Sequence, residues 1–119
     1  MTILSDIKSL YYRFRYPDNI WYGGGIKREN ALRHINIGWN KLINNLYDAK
    51  PKNTKIIDIK EKYGTLCISA TNCPEWYDDL ISYYEYRSGN ICEQCGNSGK
   101  LRIDRHWILT LCDECNEKV

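Results

Sequence analysis

The chain has 119 residues, with 17 Lys+Arg against 15 Asp+Glu and 6 Cys, a length that holds one small domain or two subdomains and is short for most enzyme scaffolds. At 43% hydrophobic and 27% charged it has the composition of a folded chain, not a disordered one. The net charge of +2 argues against a histone-like or membrane-coating role, yet it is uneven: residues 1–60 carry 11 Lys+Arg and 5 Asp+Glu, or +6, and residues 61–119 carry 6 and 10, or −4.

Ile3, Leu4, Ile7, Leu10, Tyr11 and Phe14 recur at helical spacing, which predicts an amphipathic helix over 3–15 that ends before Pro17. Residues 18–28 contain Gly23, Gly24 and Gly25 in succession and read as a loop. Leu32, Ile35, Trp39, Leu42, Ile43 and Leu46 give a second helical stripe, running either from about 30 to 49 or starting near Gly38, with Pro51 closing it. Residues 55–61 and 65–70 are rich in β-formers, with Ile57, Ile59, Leu66 and Ile68 available for one buried face, and are joined through Lys62-Tyr63-Gly64, the pattern of a hairpin. A further helix is expected from Pro74, capped by Asn72 or Cys73, with Trp76, Tyr77, Leu80, Ile81 and Tyr84 as its stripe and Gly89 as its stop.

Cys92-Glu93-Gln94-Cys95 and Cys112-Asp113-Glu114-Cys115 are two C-x2-C pairs separated by 16 residues, the spacing of a structural Zn²⁺ site. Two intervening residues let one tight turn present both sulfurs, and Gly96 lets the chain fold back behind them. Four sulfurs fill a tetrahedral sphere and leave no open position for substrate or water. Residues 100–104 and 107–111 read as a short hairpin, and Asp113 and Glu114 as the start of a short helix. Knuckle, hairpin and helix is the treble-clef order; a zinc ribbon, with a second knuckle, is the alternative. The fold class expected is α+β, with residues 1–90 carrying N-terminal helices, a central hairpin and a helix, and residues 91–119 a treble-clef-like zinc module packed on them.

No apolar run approaches the ~20 residues of a membrane span, and Met1-Thr2-Ile3-Leu4-Ser5-Asp6 lacks the pattern of a secretory leader. A cytoplasmic location is therefore expected, where paired cysteines read as metal ligands before redox dithiols or disulfides. Cys67 and Cys73 do not form a third pair; they read as buried thiols, although Cys73 at a helix start has the position of a lowered pKa. Tyr11 to Tyr16 and Trp21 to Arg28 interleave aromatics with cations. That composition serves base stacking and phosphate contacts, a protein-binding hot spot, or a plain structural loop. Trp21, Tyr22, Lys27 and Arg28 are the candidate partner-binding residues, and Arg13, Arg15, Lys27, Arg28 and Arg33 would serve nucleic acid.

Two resemblances follow from these residues. The zinc-flanked segment with Asp104-Arg105-His106 looks like HNH endonucleases, in which a His before the second cysteine pair activates water. Here only six positions separate His106 from Cys112, Asn116 stands where a His is expected, and no second His follows, so His106, like His34, reads as a surface or packing residue. Over residues 38–115, Gly38-Trp39, the stretch Lys60-Glu61-Lys62-Tyr63-Gly64-Thr65-Leu66, Ser88, the cysteine pairs and Trp107 resemble a family of small zinc-binding proteins of unassigned function met in bacteriophages and prophages. Where that family has an Arg after the Leu, this chain has Cys67. The resemblance implies a non-enzymatic accessory protein inside a bacterial host, blocking or redirecting a host protein such as a defence factor.

Overall fold

The computed structural model describes residues 25–118. The expected helix over 3–15, the first part of the 18–28 loop, and the candidate residues Arg13, Arg15, Trp21 and Tyr22 lie outside them. The described chain is mixed helix and sheet, in the order α1 (Arg28–His34), a 3-10 turn (Ile37–Trp39), α2 (Asn40–Ala49), β1 (Lys55–Lys62), β2 (Thr65–Thr71), α3 (Glu75–Ser88), β3 (Lys100–Arg102), β4 (Leu109–Leu111) and α4 (Asp113–Lys118).

The helical stripe expected over 30–49 is divided into two helices. Residue 38 would continue a helix by donating its N–H to the carbonyl of His34; instead Gly38 N–H donates to the carbonyl of Glu93 at 2.9 Å. The approach is so close that a Cβ at residue 38 would stand 2.0 Å from the Cys92 carbonyl oxygen. α1 therefore stops at His34, with Ile35 extended, and α2 begins afresh after the 3-10 turn. α2 buries Leu42, Ile43 and Leu46, one face of the helix, together with Trp39 just before it. Lys50, held extended by the following Pro51, ends it.

β1 and β2 form the expected antiparallel hairpin, registered Lys62↔Thr65, Glu61↔Leu66 and Ile59↔Ile68, with an irregularity between Ile56 and Asp58. The loop is two residues, Tyr63 and Gly64, both with positive φ (51° and 85°), the twist that suits a tight hairpin. Ile59, Leu66 and Ile68 enter one core as expected, but Ile56 joins them in place of Ile57, because the irregularity at 56–58 breaks the alternation along β1; the same core takes Ala31, Ile35, Trp39, Ile43, Leu46 and, from α3, Tyr77 and Ile81. A two-stranded sheet leaves the outer N–H groups of β2 unpaired, and α3 supplies their acceptors. Glu85 Oε2 takes the N–H of Ile68 at 2.9 Å, and Ser88 Oγ takes that of Leu66 at 2.8 Å.

α3 differs from its expected form in three details. Pro74 is the cap residue and not the first helical one, and no side chain caps the helix. Trp76 stands 56% exposed while Tyr77 and Ile81 are buried, so the stripe is narrower than the sequence suggested. Gly89 ends the helix in a right-handed conformation, φ −72°, so its lack of a Cβ is not what stops the helix.

Candidate metal centre

The first cysteine pair sits on a turn closed by backbone hydrogen bonds. Cys92 N–H donates to the Asn97 carbonyl at 2.7 Å, and Gly96 N–H returns to the Cys92 carbonyl at 2.9 Å. Gly96 holds φ +84°, which a side chain would disfavour. Ile91 pairs with Ser98 across the turn. The chain then runs through the β3–β4 hairpin, paired Lys100↔Leu111 to Arg102↔Leu109 and shorter at its loop end than the sequence suggested. Cys112 precedes α4, and Cys115 lies in its first turn. Arg102 fixes this last junction, its guanidinium reaching the Leu111 carbonyl (2.9 Å) and Asp113 Oδ1 (2.8 Å); the same contact holds the Asp113 carboxyl below its usual range.

The Sγ atoms of Cys92, Cys95, Cys112 and Cys115 all lie within 4.8 Å of one another, and Cys95 and Cys112 are 3.6 Å apart. Four thiolates around one tetrahedral ion at about 2.3 Å have sulfur–sulfur edges of about 3.8 Å, so the cluster is placed to hold a single metal ion. Cys92 is fully buried and Cys95 exposed. Burial pushes the Cys92 thiol up, but backbone N–H groups of Cys112, Cys95 and Gln94 outweigh it and bring it down to about 6. Cys115, hydrogen-bonded to Cys112, is pushed up to about 12. A cation bound between the four sulfurs would itself favour their ionised form. Among the described residues, these four cysteines are the one group of three or more His, Cys, Asp or Glu side chains able to converge on a metal.

Glu93, between two of the sulfurs, was not singled out by the sequence, where a Glu in such a turn reads as solvated. It is completely buried. One carboxylate oxygen accepts from Asn36 Nδ2 and the other from the Thr110 N–H (2.8 Å). Its own N–H donates to the Thr110 carbonyl at 3.0 Å, and its carbonyl accepts from Gly38. One residue thus ties the cysteine turn to both β4 and the entry to α2. Two further bonds tighten the junction: Trp39 Nε1 donates to the Ile91 carbonyl (2.9 Å), and the buried Thr110 hydroxyl donates to the Gly64 carbonyl (2.6 Å). Gly99 is equally constrained, since a Cβ there would lie 2.8 Å from Cys92 N.

The other sequence candidates separate. Lys27 is exposed, at the cap of α1. Arg28 is engaged within the chain, paired with Asp48 at 2.7 Å and set 5.8 Å from the centre of the Tyr47 ring. Arg33 bonds Asn30. Cys67 and Cys73 are free and half-buried, and burial, with Asp78 adding to it, pushes the Cys73 thiol up, opposite to an activated nucleophile. Asn116 accepts from Arg105 Nη1 through its side chain (2.7 Å) and its carbonyl (3.1 Å), anchoring the loop over 103–108. His106, exposed on that loop, lines a cleft of about 330 Å³ with Glu61, Lys62, Tyr63, Trp107 and Ile108. A wider groove of about 520 Å³ runs beside Cys95 and Gly96, with Lys41, Arg87, Tyr83 and Tyr84 among its walls. No helix among the described residues is long and apolar enough to cross a membrane.

Comparison with protein-family models, with curated proteins and with solved structures finds no match to this chain.

Proposed function

We propose that the chain is a non-enzymatic binding module whose C-terminal part is held together by one structural Zn²⁺ on Cys92, Cys95, Cys112 and Cys115. The observation that carries the reading is the closed set of four sulfurs: an all-thiolate tetrahedral donor set is the one Zn²⁺ favours, and it offers no coordination position to a substrate. Knuckle, hairpin and a second pair at a helix start support the treble clef over the ribbon. The resemblance to small phage-type zinc proteins supports a role in the cytoplasm of a bacterial host, binding a host protein and blocking or redirecting it.

Exposed aromatic and aliphatic side chains support a contact role: Ile37, Tyr63, Tyr86, Ile103 and Trp107 are each mostly solvent-facing. One observation favours nucleic acid as a second reading, namely the pairing of Lys41 and Arg87 with Tyr83 and Tyr84 along the wider groove. The degenerate-nuclease reading has His106 beside Glu61 but no three-ligand ion site there among the described residues.

The test is an affinity capture from bacterial lysate with and without nuclease treatment, read by mass spectrometry. One protein retained in near-stoichiometric amount after nuclease treatment is the expected result. Partners that vanish with the nucleic acid would favour the second reading, and metal-dependent cleavage abolished by His106→Ala would establish the third.

A further inference from the structure

α2 and α3 touch at one end and part at the other. Near the start of α3 the Tyr77 hydroxyl donates to the Leu46 carbonyl of α2 at 2.6 Å. Toward the start of α2 and the end of α3 the groove of about 520 Å³ lies between them, with the cysteine turn as its third side. Its floor is apolar: Leu42 is buried, and Tyr84 and Ile91 are half-buried. Ile37 and Tyr83, at its rim, are 70% and 51% exposed. The cysteine turn is held against the start of α2 by the Gly38–Glu93 hydrogen bond and by Trp39 Nε1 on the Ile91 carbonyl, so the groove is formed before anything binds, which lowers the cost of docking.

Each helix adds one cation, Lys41 from α2 and Arg87 from α3. Both are exposed. Arg28, Arg102 and Lys118 each have a carboxylate partner within the chain, but Lys41 and Arg87 have no salt bridge or side-chain hydrogen bond among the described residues. No acidic side chain among the described residues lines the groove. Two open cations around an apolar floor complement a ligand that carries separated negative charges and an apolar group between them. A phosphate backbone is charged at every nucleotide and is held by a broad basic field, whereas residues 25–118 carry 14 Lys+Arg against 13 Asp+Glu. Cys95, exposed at the groove's edge, belongs to a four-thiolate site that carries about −2 with Zn²⁺ bound. A peptide can set carboxylates at Lys41 and Arg87 and keep a neutral residue against that turn. The rings of Tyr83 and Tyr84, 5.6 Å apart, are tilted by 56°, so they do not present two faces in a row for successive bases.

We infer that the groove between the start of α2 and the end of α3 is the docking site for an acidic segment of a partner protein, its carboxylates paired with Lys41 and Arg87 and an aliphatic side chain set on Leu42, Tyr84 and Ile91. This rests on the binding-module reading and gives the partner's chemistry. In the test, the full zinc-loaded chain is panned against a random dodecapeptide library displayed on yeast, and the enriched peptides are titrated by fluorescence anisotropy and two-dimensional amide NMR. The expected peptides carry two or more Asp or Glu flanking an aliphatic residue and shift amides within 37–45 and 83–96. Replacing their acids by Asn and Gln should weaken binding at least about tenfold, and Lys41→Glu and Arg87→Gln should each weaken it about tenfold with the rest of the spectrum unchanged. Lys52→Glu makes the same charge change at an exposed lysine outside the groove and should cost less than about twofold, distant exposed charges being screened by salt. Enriched peptides without an acidic bias, or none that binds the wild type better than the Lys41→Glu variant, would overturn the inference. An oligothymidylate that shifts the same amides and binds more tightly than the best peptide would also overturn it and assign the groove to nucleic acid. Retention of a captured host protein at wild-type strength by the double variant Lys41→Glu, Arg87→Gln would refute the groove while leaving the binding-module reading standing.

Discussion

Gly38→Ala probes the junction on which the cysteine turn rests. The added methyl would sit 2.0 Å from the Cys92 carbonyl oxygen, 2.5 Å from the Glu93 carbonyl carbon and 2.7 Å from its oxygen, against a closest tolerated approach of 3.0 Å. All three atoms are backbone, so no flexible side chain can give way, and the two segments must part by about 1 Å. Overpacking of this kind costs about 1–3 kcal/mol. The separation also strains the Gly38–Glu93 hydrogen bond, which contributes about 1 kcal/mol. The expected loss is about 2–4 kcal/mol, or roughly 10 °C in melting temperature for a domain of this size. Because Cys92 carries the displaced carbonyl, zinc affinity should fall as well, the ligand geometry tolerating only about 0.2 Å. Urea denaturation of the zinc-loaded protein, with a chromophoric chelator competing for the metal, measures both. Gly89→Ala is the control: its methyl would meet Thr65 Cγ2 at 3.4 Å, ordinary contact, in a right-handed conformation, so its stability should change by less than about 0.5 kcal/mol. A Gly38→Ala protein as stable as the Gly89→Ala control would show that the close approach of residue 38 to the Cys92–Glu93 backbone does not constrain the fold.

Thr110→Val keeps the shape of a fully buried residue but leaves the Gly64 carbonyl without its donor, and should cost about 1–3 kcal/mol in denaturant melts. Ser88→Ala removes the acceptor for the Leu66 N–H on the outer edge of β2; about 1–2 kcal/mol of stability should go, with faster hydrogen exchange at Leu66 as the specific signature. Glu61→Gln tests the half-buried carboxyl through pH. Burial raises the Glu61 pKa above 4.5, so the folded state holds that proton more tightly than the unfolded state does. The stability this confers is complete below pH ~4.5 and is lost as pH rises through the folded value. The wild type should therefore lose stability relative to Glu61→Gln across that window, and a difference independent of pH would contradict the assignment.

The parts of the fold that depend on neighbouring residues were legible. The hairpin is legible from Gly64 between two runs of β-formers, but its turn is Tyr63-Gly64, one residue shorter than the 62–64 connection expected, because Lys62 pairs with Thr65 and Tyr63 also takes positive φ. The cysteine pairs could be recognised because metal coordination fixes both their spacing and their number. What the sequence hid depends on contacts between distant residues. The 30–49 stripe is continuous by periodicity, and only the approach of the Cys92–Glu93 backbone breaks it at Gly38. Glu93 looks like a surface residue until Asn36 and Thr110 surround it. Arg28, read as a contact residue from its basic and aromatic neighbours, is held by Asp48, Asn44 and Tyr47, which local pattern does not connect to it. Glu61 and His106, 45 positions apart, line one cleft where the second hairpin packs on the first at Gly64, a contact that local pattern does not reveal.

If one Zn²⁺ on four sulfurs holds the C-terminal part of the chain together, stripping the metal must release that part. Native mass spectrometry with elemental analysis, paired with amide hydrogen exchange before and after chelation, tests it most directly. The expected result is one zinc per chain and, on its removal, a loss of protection over residues 91–116, since such sites contribute on the order of 10 kcal/mol to folding. A chain that binds no metal, or one whose protection over 91–116 is unchanged when the zinc is stripped, would contradict it.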